Sequence, residues 1–497
     1  MKNLKFSFVL LISIIITLHG SHAQNPSWDK TYAFPGKDNS NFTKLLQTEN
    51  SDLYIAGYAE FDWYLYAPGF MKIDTNGNLL WSKSYDFPVS CQQITQTLVQ
   101  LSENSFFSFS FNPFIPVPIG SENNSRQGEV INDSWLLKLN SNGDTIFKKH
   151  FENIGWVSDL IIEDGKLIGI GSTNYQINIG EYSTITTVIV LDTNGILLSR
   201  KEYLTDIDSR ANSIVKNADG NYLLCGTIPE NYFELGSIHS PDQLFVLEID
   251  INESVLSEYF SDIEYSEGKK VIVCEDGSYV VIGDGLNPIG NTKDIILWKF
   301  DSDNIPFQIT YSGLPRADEA YSIRQTPDGG FIICGNIISP SFPGWCPVFF
   351  YQKVNSYGEE EWQMQNQQDY DCANDVALNI NSGYYIVGNG NNFARLVKTD
   401  IDGNGLILTS IPGQNDPVSN WFEIYPTPGN EILNIKSYNN TKPYTFFLYD
   451  SFGKQILRIG KFTGNTKIST NHLPEGIYLY QISNNNGIFQ SGKWVKK

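Results

Sequence analysis

The chain has 497 residues, 41% hydrophobic and 13% aromatic, with 27 Tyr and 30 Phe against 3 Met. That composition favours strands over helices and excludes a mainly disordered chain. The net charge is −21, with +2 in residues 1–23 and +5 in residues 421–497, which leaves −28 for residues 24–420. A body that acidic repels nucleic acid and anionic membrane surfaces, so phosphate-backbone binding is excluded as its role.

The N-terminus reads as a cleavable export signal covering residues 1–23. Lys2 and Lys5 give a positive start, residues 6–18 an apolar run too short to cross a bilayer, and Ser21-His22-Ala23 small residues ahead of cleavage before Gln24. No Cys follows the site, and no later stretch is long and apolar enough for a membrane span, so the mature chain is expected to be soluble.

A short apolar run after a turn signal then recurs seven times, in forms such as Asp219-Gly220-Asn221-Tyr222-Leu223-Leu224-Cys225-Gly226 and Asp328-Gly329-Gly330-Phe331-Ile332-Ile333-Cys334-Gly335. From Gly57 to Gly388 the spacing averages about 55 residues, within the range of propeller blades. Each copy is followed by a second signature, as in Lys72-Ile73-Asp74-Thr75-Asn76-Gly77 and Lys398-Thr399-Asp400-Ile401-Asp402-Gly403. Asp-Gly and Asn-Gly supply the positive φ angles of tight hairpins, so both signatures mark strand–turn–strand junctions. With a strand before the first turn and one such as Trp81-Ser82-Lys83-Ser84-Tyr85 after the second, each repeat yields four strands, A to D. The fold class expected is all-β: a seven-bladed β-propeller over residues 24–412 with four-stranded blades, a linker at 413–420, and a small β-sandwich at 421–497. Trp28-Asp29-Lys30-Thr31-Tyr32 is a D-type strand with no A, B or C before it, so it can complete the last blade; residues 407–411 compete for that position.

In such a ring the A–B and C–D turns lie on one face and the B–C and D–A loops on the other. The long inserts, at 60–69, 112–132, 229–241 and 339–347, all belong to the second face, where binding usually resides. They carry Trp63, Tyr64, Tyr66, Phe114, Tyr232, Phe233, Phe342 and Trp345, flat apolar rings able to stack on sugars or peptide side chains, or else to pack locally under their own loops. Trp63, Tyr66, Tyr232 and Trp345 are the binding residues expected. Acids recur before strand A, at Asp208, Asp318, Glu319 and Asp371, where they are expected to cap turn amides.

No catalytic motif appears: no nucleophile elbow, metalloprotease helix, phosphate loop or dinucleotide fingerprint, and no cofactor or metal is expected. Asp400-Ile401-Asp402-Gly403-Asn404-Gly405 opens like a calcium loop, but Ile411 stands where the bidentate acid belongs, so it reads as a turn. Cys225 and Cys334 occupy equivalent places in two repeats and read as small buried hydrophobes, whereas Cys346 and Cys372 flank one blade and can pair in an oxidising compartment.

The repeats resemble the propeller-like repeats of Bacteroidetes surface proteins. In the tail, Tyr425, Pro426 and Pro428, then Tyr449, Asp450, Gly453 and Lys454, then Gly476 and Tyr478, and finally Gly492 and Lys493 stand in the order of a type A sorting domain of the type IX secretion system, with Thr427 where that family usually has Asn. The resemblance implies the translocon and sorting machinery of that pathway as partners, and a secreted or outer-surface location reached through the periplasm. Function is expected to be that of a non-enzymatic binding or adhesion module with a glycan or protein ligand. A glycoside hydrolase or lyase using carboxylates on the long-loop face is the other reading.

Overall fold

The structure is a computed structural model that describes residues 27–405 and 422–497 apart from segments 36–38, 49, 63–64, 86–93, 112–133, 153, 179–180, 230–241, 289–291, 302–304, 313–317, 339–346, 366–370, 380–381, 391–392, 427, 438–443, 451–453, 463–464 and 485–486. Every described element is a β-strand.

Residues 28–398 form seven antiparallel sheets. Six are consecutive meanders, with blade 1 at residues 39–84, blade 2 at 94–151, blade 3 at 156–203, blade 4 at 210–260, blade 5 at 267–312 and blade 6 at 318–365. Blade 7 takes strands A to C from residues 372–398, and Trp28–Tyr32 supplies its outer strand, pairing antiparallel with Phe393–Lys398. The N-terminal D-type strand therefore closes the ring, while its competitor at 407–411 lies outside the described residues. Consecutive sheets pack face to face, blade 7 onto blade 1 included. Strand B, covered on both sides, is buried along its length even where it carries Ser or Thr: Tyr222–Ile228 and Ser105–Phe111 are almost wholly buried. Cys225 and Cys334 are fully buried there, as expected.

Two devices explain the repeated residues. The first sits on strand A, where the ladder slips by one residue at the same place in six blades, for example between Phe42 and Lys44 and between Ala320 and Ser322. The bulge presses the carbonyl of strand A against the glycine of strand B. A Cβ added to Gly57, Gly171, Gly226, Gly283, Gly335 or Gly388 would come within 2.0 Å of that oxygen. The recurring glycine is thus a matter of close approach, not of turn geometry. Gly335→Ala, with its methyl 1.9 Å from the Glu319 carbonyl, is expected to cost about 3 kcal/mol in urea unfolding. A change under half that size would mean that the strand shifts to make room. In blade 2 Ser110 stands at the glycine's place, and strand A is split into Ile94–Thr95 and Val99–Ser102.

The second device is the C–D turn. Its first Asx side chain accepts two backbone N–H groups of the turn: Asp74 from Asn76 and Asn78, Asp192 from Asn194 and Ile196, Asp400 from Asp402 and Asn404. Asp400 also accepts from the Asn404 amide at 3.1 Å, so its carboxylate is engaged in holding a turn, as the sequence reading favoured. The glycine of the turn, with φ near +75° at Gly77, Gly143 and Gly403, offers its carbonyl to a tyrosine of the preceding blade, Tyr351 of strand C in the case of Gly403. Tyr32 donates to Gly77 at 2.9 Å, Tyr85 to Gly143, and the indole of Trp81 to the neighbouring Ser141 at 3.0 Å. The Trp-x-Lys-x-Tyr motif is therefore an interblade clasp.

The tail forms two sheets. Phe422–Tyr425, Ile432–Ser437 and Thr466–Ser469 make one, and Tyr444–Tyr449, Gln455–Phe462, Gly476–Asn484 and Gly487–Lys496 make the other. Leu433 and Ile435 from the first pack with Phe446, Leu448 and Trp494 from the second in one buried core, which makes the module a small sandwich.

Candidate functional site at the channel mouth

Strand A begins on the long-loop face and strand B ends there, so residues just before the bulge on A and just after the glycine on B surround that mouth of the central channel. The sequence places polar groups at these positions in blades 5, 6, 7 and 1, and the structure joins them. In blade 5, Glu267 accepts from Lys269 at 2.5 Å and Lys293 at 2.7 Å, and Lys293 also lies 2.5 Å from Asp284. Burial pushes Glu267 up, but the two ammonium groups outweigh it and hold the carboxyl well below its usual range. Asp284 is fully enclosed, and burial raises its pKa despite Lys269 and Lys293.

In blade 6, Glu319 accepts from the Tyr321 hydroxyl at 2.5 Å and from Asn336 at 3.3 Å, and Asn336 donates to Tyr321 at 2.8 Å. Burial, then the Glu319 charge, raise the Tyr321 pKa, so the phenol stays protonated as a donor. Asn336 also approaches the Cys372 sulfur at 3.7 Å, and burial pushes that thiol up to about 11. Cys372 is a free thiol here, and Cys346, its expected partner, lies outside the described residues. Across to blade 1, Asn374 donates to Asn41 at 2.9 Å, Asn41 to the Tyr58 hydroxyl at 3.0 Å, and Asn39 to Glu60 at 2.6 Å. On the far side, the exposed Arg210 lies over the Trp156 ring at 6.0 Å.

Of the four binding residues expected from sequence, Trp63, Tyr232 and Trp345 lie outside the described residues, as do Tyr64, Phe114, Phe233 and Phe342. Tyr66 is half-buried and meets Tyr58 edge-on, ring centres 5.2 Å apart, which ties it to the mouth network through Asn41. The insert at 60–69 is mostly paired strand, not open loop: Glu60 pairs with Tyr66 and Asp62 with Leu65. Among the acids before strand A, Asp208 accepts from a strand amide and a hydroxyl, Thr184 N at 3.1 Å and Ser183 Oγ at 2.7 Å, and so does not cap a turn. Glu319 and Asp371 serve side chains, Asp371 lying 3.3 Å from the buried Arg395.

Sequence reasoning missed the mouth residues because it followed strand B and the turns. The available signal was a break in alternation: two successive polar residues at one place in strand A, as in Lys269-Lys270, Tyr321-Ser322 and Asn374-Asp375. On the opposite face, a polar groove of about 520 Å³ between blades 1 and 2 is lined by Thr48, Asn50, Asp52, Lys72, Glu103 and Asn104 among others.

The tail residues are placed as a unit. Trp494 donates to Pro426 O at 2.8 Å, Asn434 to Tyr425 O at 3.1 Å, Lys454 N to Asp450 at 3.0 Å and Tyr478 to Pro474 O at 2.7 Å. Pro428, Gly476, Gly492 and Lys493 lie within the same module, and Gly453 falls outside the described residues.

Residues 423–497 match the family model of the secretion system C-terminal sorting domain. No curated protein matches the chain. Among solved structures, a polysaccharide lyase, the PL25 ulvan lyase, is 9% identical with a TM-score of 0.48, covering 74% of this chain and 96% of its own. An α-L-arabinanase of Penicillium chrysogenum is 15% identical with a TM-score of 0.40, covering 76% and 98%. PorZ, a surface component of the type IX system of Porphyromonas gingivalis, is 9% identical with a TM-score of 0.27, covering 92% and 86%. Likenesses this remote leave the fold to rest on the sheets described above.

Proposed function

We propose that this chain, exported by the type IX system through its C-terminal sorting domain to the cell surface or the medium, works there as a non-enzymatic binding protein whose ligand, a glycan or an extended peptide, docks at the long-loop mouth of the ring. The observation that carries the reading is the state of the acids at that mouth. Each described carboxylate there is already engaged: Glu267 by two lysines, Glu319 by a phenol and an amide, Asp284 by Lys293. Among the described carboxylates of the mouth, Asp284 is the one whose pKa is raised, as a general acid requires, yet it is fully buried. What the mouth offers is neutralised hydrogen-bonding groups beside the rings of Tyr58, Tyr66 and Trp156, the composition of a recognition surface. The mature chain incubated with a glycan and peptide panel is expected to bind without releasing product. Replacing Trp63, Tyr66, Tyr232 and Trp345 together with Ala is expected to weaken binding at least tenfold at unchanged melting temperature. Turnover of any bound polymer would sink the non-enzymatic reading, and unfolding of the quadruple variant would mark those rings as packing groups.

A further inference from the structure

Five charged side chains converge on the axis of the ring. Lys270 of blade 5 reaches past blade 4 to Asp159 of blade 3 at 2.7 Å, and Arg324 of blade 6 meets Asp375 of blade 7 at 3.2 Å. The fifth is Lys44 of blade 1, which follows the bulge of its strand as Asp159, Lys270 and Asp375 follow theirs. Leu45 N, the next amide along, donates to Asp375 at 3.0 Å, and Asn374 donates to Phe42 O at 2.7 Å, which sets Lys44 beside that carboxylate; the charges of all four others bear on its ammonium.

Both carboxylates are saturated. Asp159 accepts from Leu160 N, Ser213 Oγ, Ile214 N and Lys270. Asp375 accepts from Leu45 N, Val376 N, Ser322 Oγ and Arg324. The Lys44 ammonium, by contrast, makes no hydrogen bond or ion pair among the described residues. Lys44 keeps part of its surface exposed on the strand that lines the axis, while its ammonium lies in surroundings buried enough to disfavour a charge. Three cations against two anions leave one positive charge in surplus inside protein. Loss of a proton would remove the charge but leave the amine N–H groups without a protein acceptor, because the neighbouring carboxylate oxygens are taken. An anion supplies both the charge and the acceptor.

We infer that the middle of the channel is a binding site for one small monovalent anion, a halide or a carboxylate, held by Lys44 with Lys270 and Arg324 flanking it. Monovalence follows from the surplus of one, since a doubly charged oxyanion would leave the cluster negative. Burial, and then Lys270, pull the Lys44 pKa below the usual lysine range, which an anion would reverse. The site lies deeper than the mouth and does not depend on what binds there.

The test uses the mature full chain. Bromide added at constant ionic strength is expected to raise the melting temperature saturably, by about 1.4 °C at ten times its dissociation constant, and Lys44→Met is expected to abolish the saturable part. Crystals grown in bromide should give an anomalous peak between Lys44, Lys270 and Arg324. Acetate in competition separates the two ligand classes: loss of the peak admits carboxylates, and its persistence restricts the site to halides. An equal saturable response in Lys44→Met, or wild-type crystals without a bromide peak at Lys44, would overturn the inference. Should Lys44→Met fail to fold, the crystals decide it alone.

Discussion

Deletion of Trp28–Tyr32 from the mature chain is expected to lower the melting temperature of the body by about 7 °C, more than any single substitution on its surface. These five residues do four things at once. Trp28 is 94% buried, against Tyr385 and the blade 1 core; loss of such a side chain costs about 3 kcal/mol. Asp29 makes a two-pronged pair with the buried Arg395, which would be left to Asp371 alone, at a cost of roughly 2 kcal/mol. Lys30 and Tyr32 bind the C–D turn of blade 1 through Asn76 O and Gly77 O, worth about 1 kcal/mol each. The sum of about 7 kcal/mol converts at roughly 1 °C per kcal/mol for a body of this size. The deletion also bares the Phe393–Lys398 edge, a template for pairing with another chain. Trp28→Ala alone should show about half the shift. A deletion variant that melts within 2 °C of the intact chain and stays monomeric would mean that the ring does not depend on this closure.

The same strand marks what was legible in the sequence. Trp28-Asp29-Lys30-Thr31-Tyr32 is readable because it repeats Trp81-Ser82-Lys83-Ser84-Tyr85, and a residue pattern that recurs every 55 or so positions reports a unit of structure whatever its contacts are. The turn glycines were readable for the same reason, since only a few residues adopt their φ. The glycine of strand B was visible but its cause was not: nothing local says that a bulge on the neighbouring strand will push a carbonyl onto Gly335. The channel charges were still less legible. Lys270 finds Asp159 across 111 residues and Leu45 N finds Asp375 across 330, and pairings of that separation leave no periodic trace in one sequence. The aromatic loop residues present the reverse case. The sequence around Tyr66 reads as an exposed loop, but the backbone there pairs as a hairpin and half-buries the ring against Tyr58.

A chain ending before residue 421 is expected to cross the inner membrane, fold, and accumulate in the periplasm, with at least a tenfold loss of the fraction found at the surface or in the medium. Residues 423–497 match the sorting domain, and they form a folded module with its own core. Its two ends are held together: Trp494 near the C-terminus bonds to the motif residue Pro426 near the start, and Gly429 exchanges backbone bonds with Val495 and Lys497. The core that joins the two sheets, from Leu433 to Trp494, draws only on residues of the module. Its local charge of +5 beside a body of −28 gives the translocon a surface unlike the cargo it follows. Fusing residues 421–497 to an unrelated periplasmic protein should therefore carry that protein out, and Trp494→Ala in the fusion should block export by loosening the pinned ends. Fractionation of a type IX-competent host expressing both proteins measures each outcome. Export of the truncated chain at the level of the full-length one would show that the body carries its own address, and retention of the fusion in the periplasm would show that residues 421–497 are not sufficient to supply one.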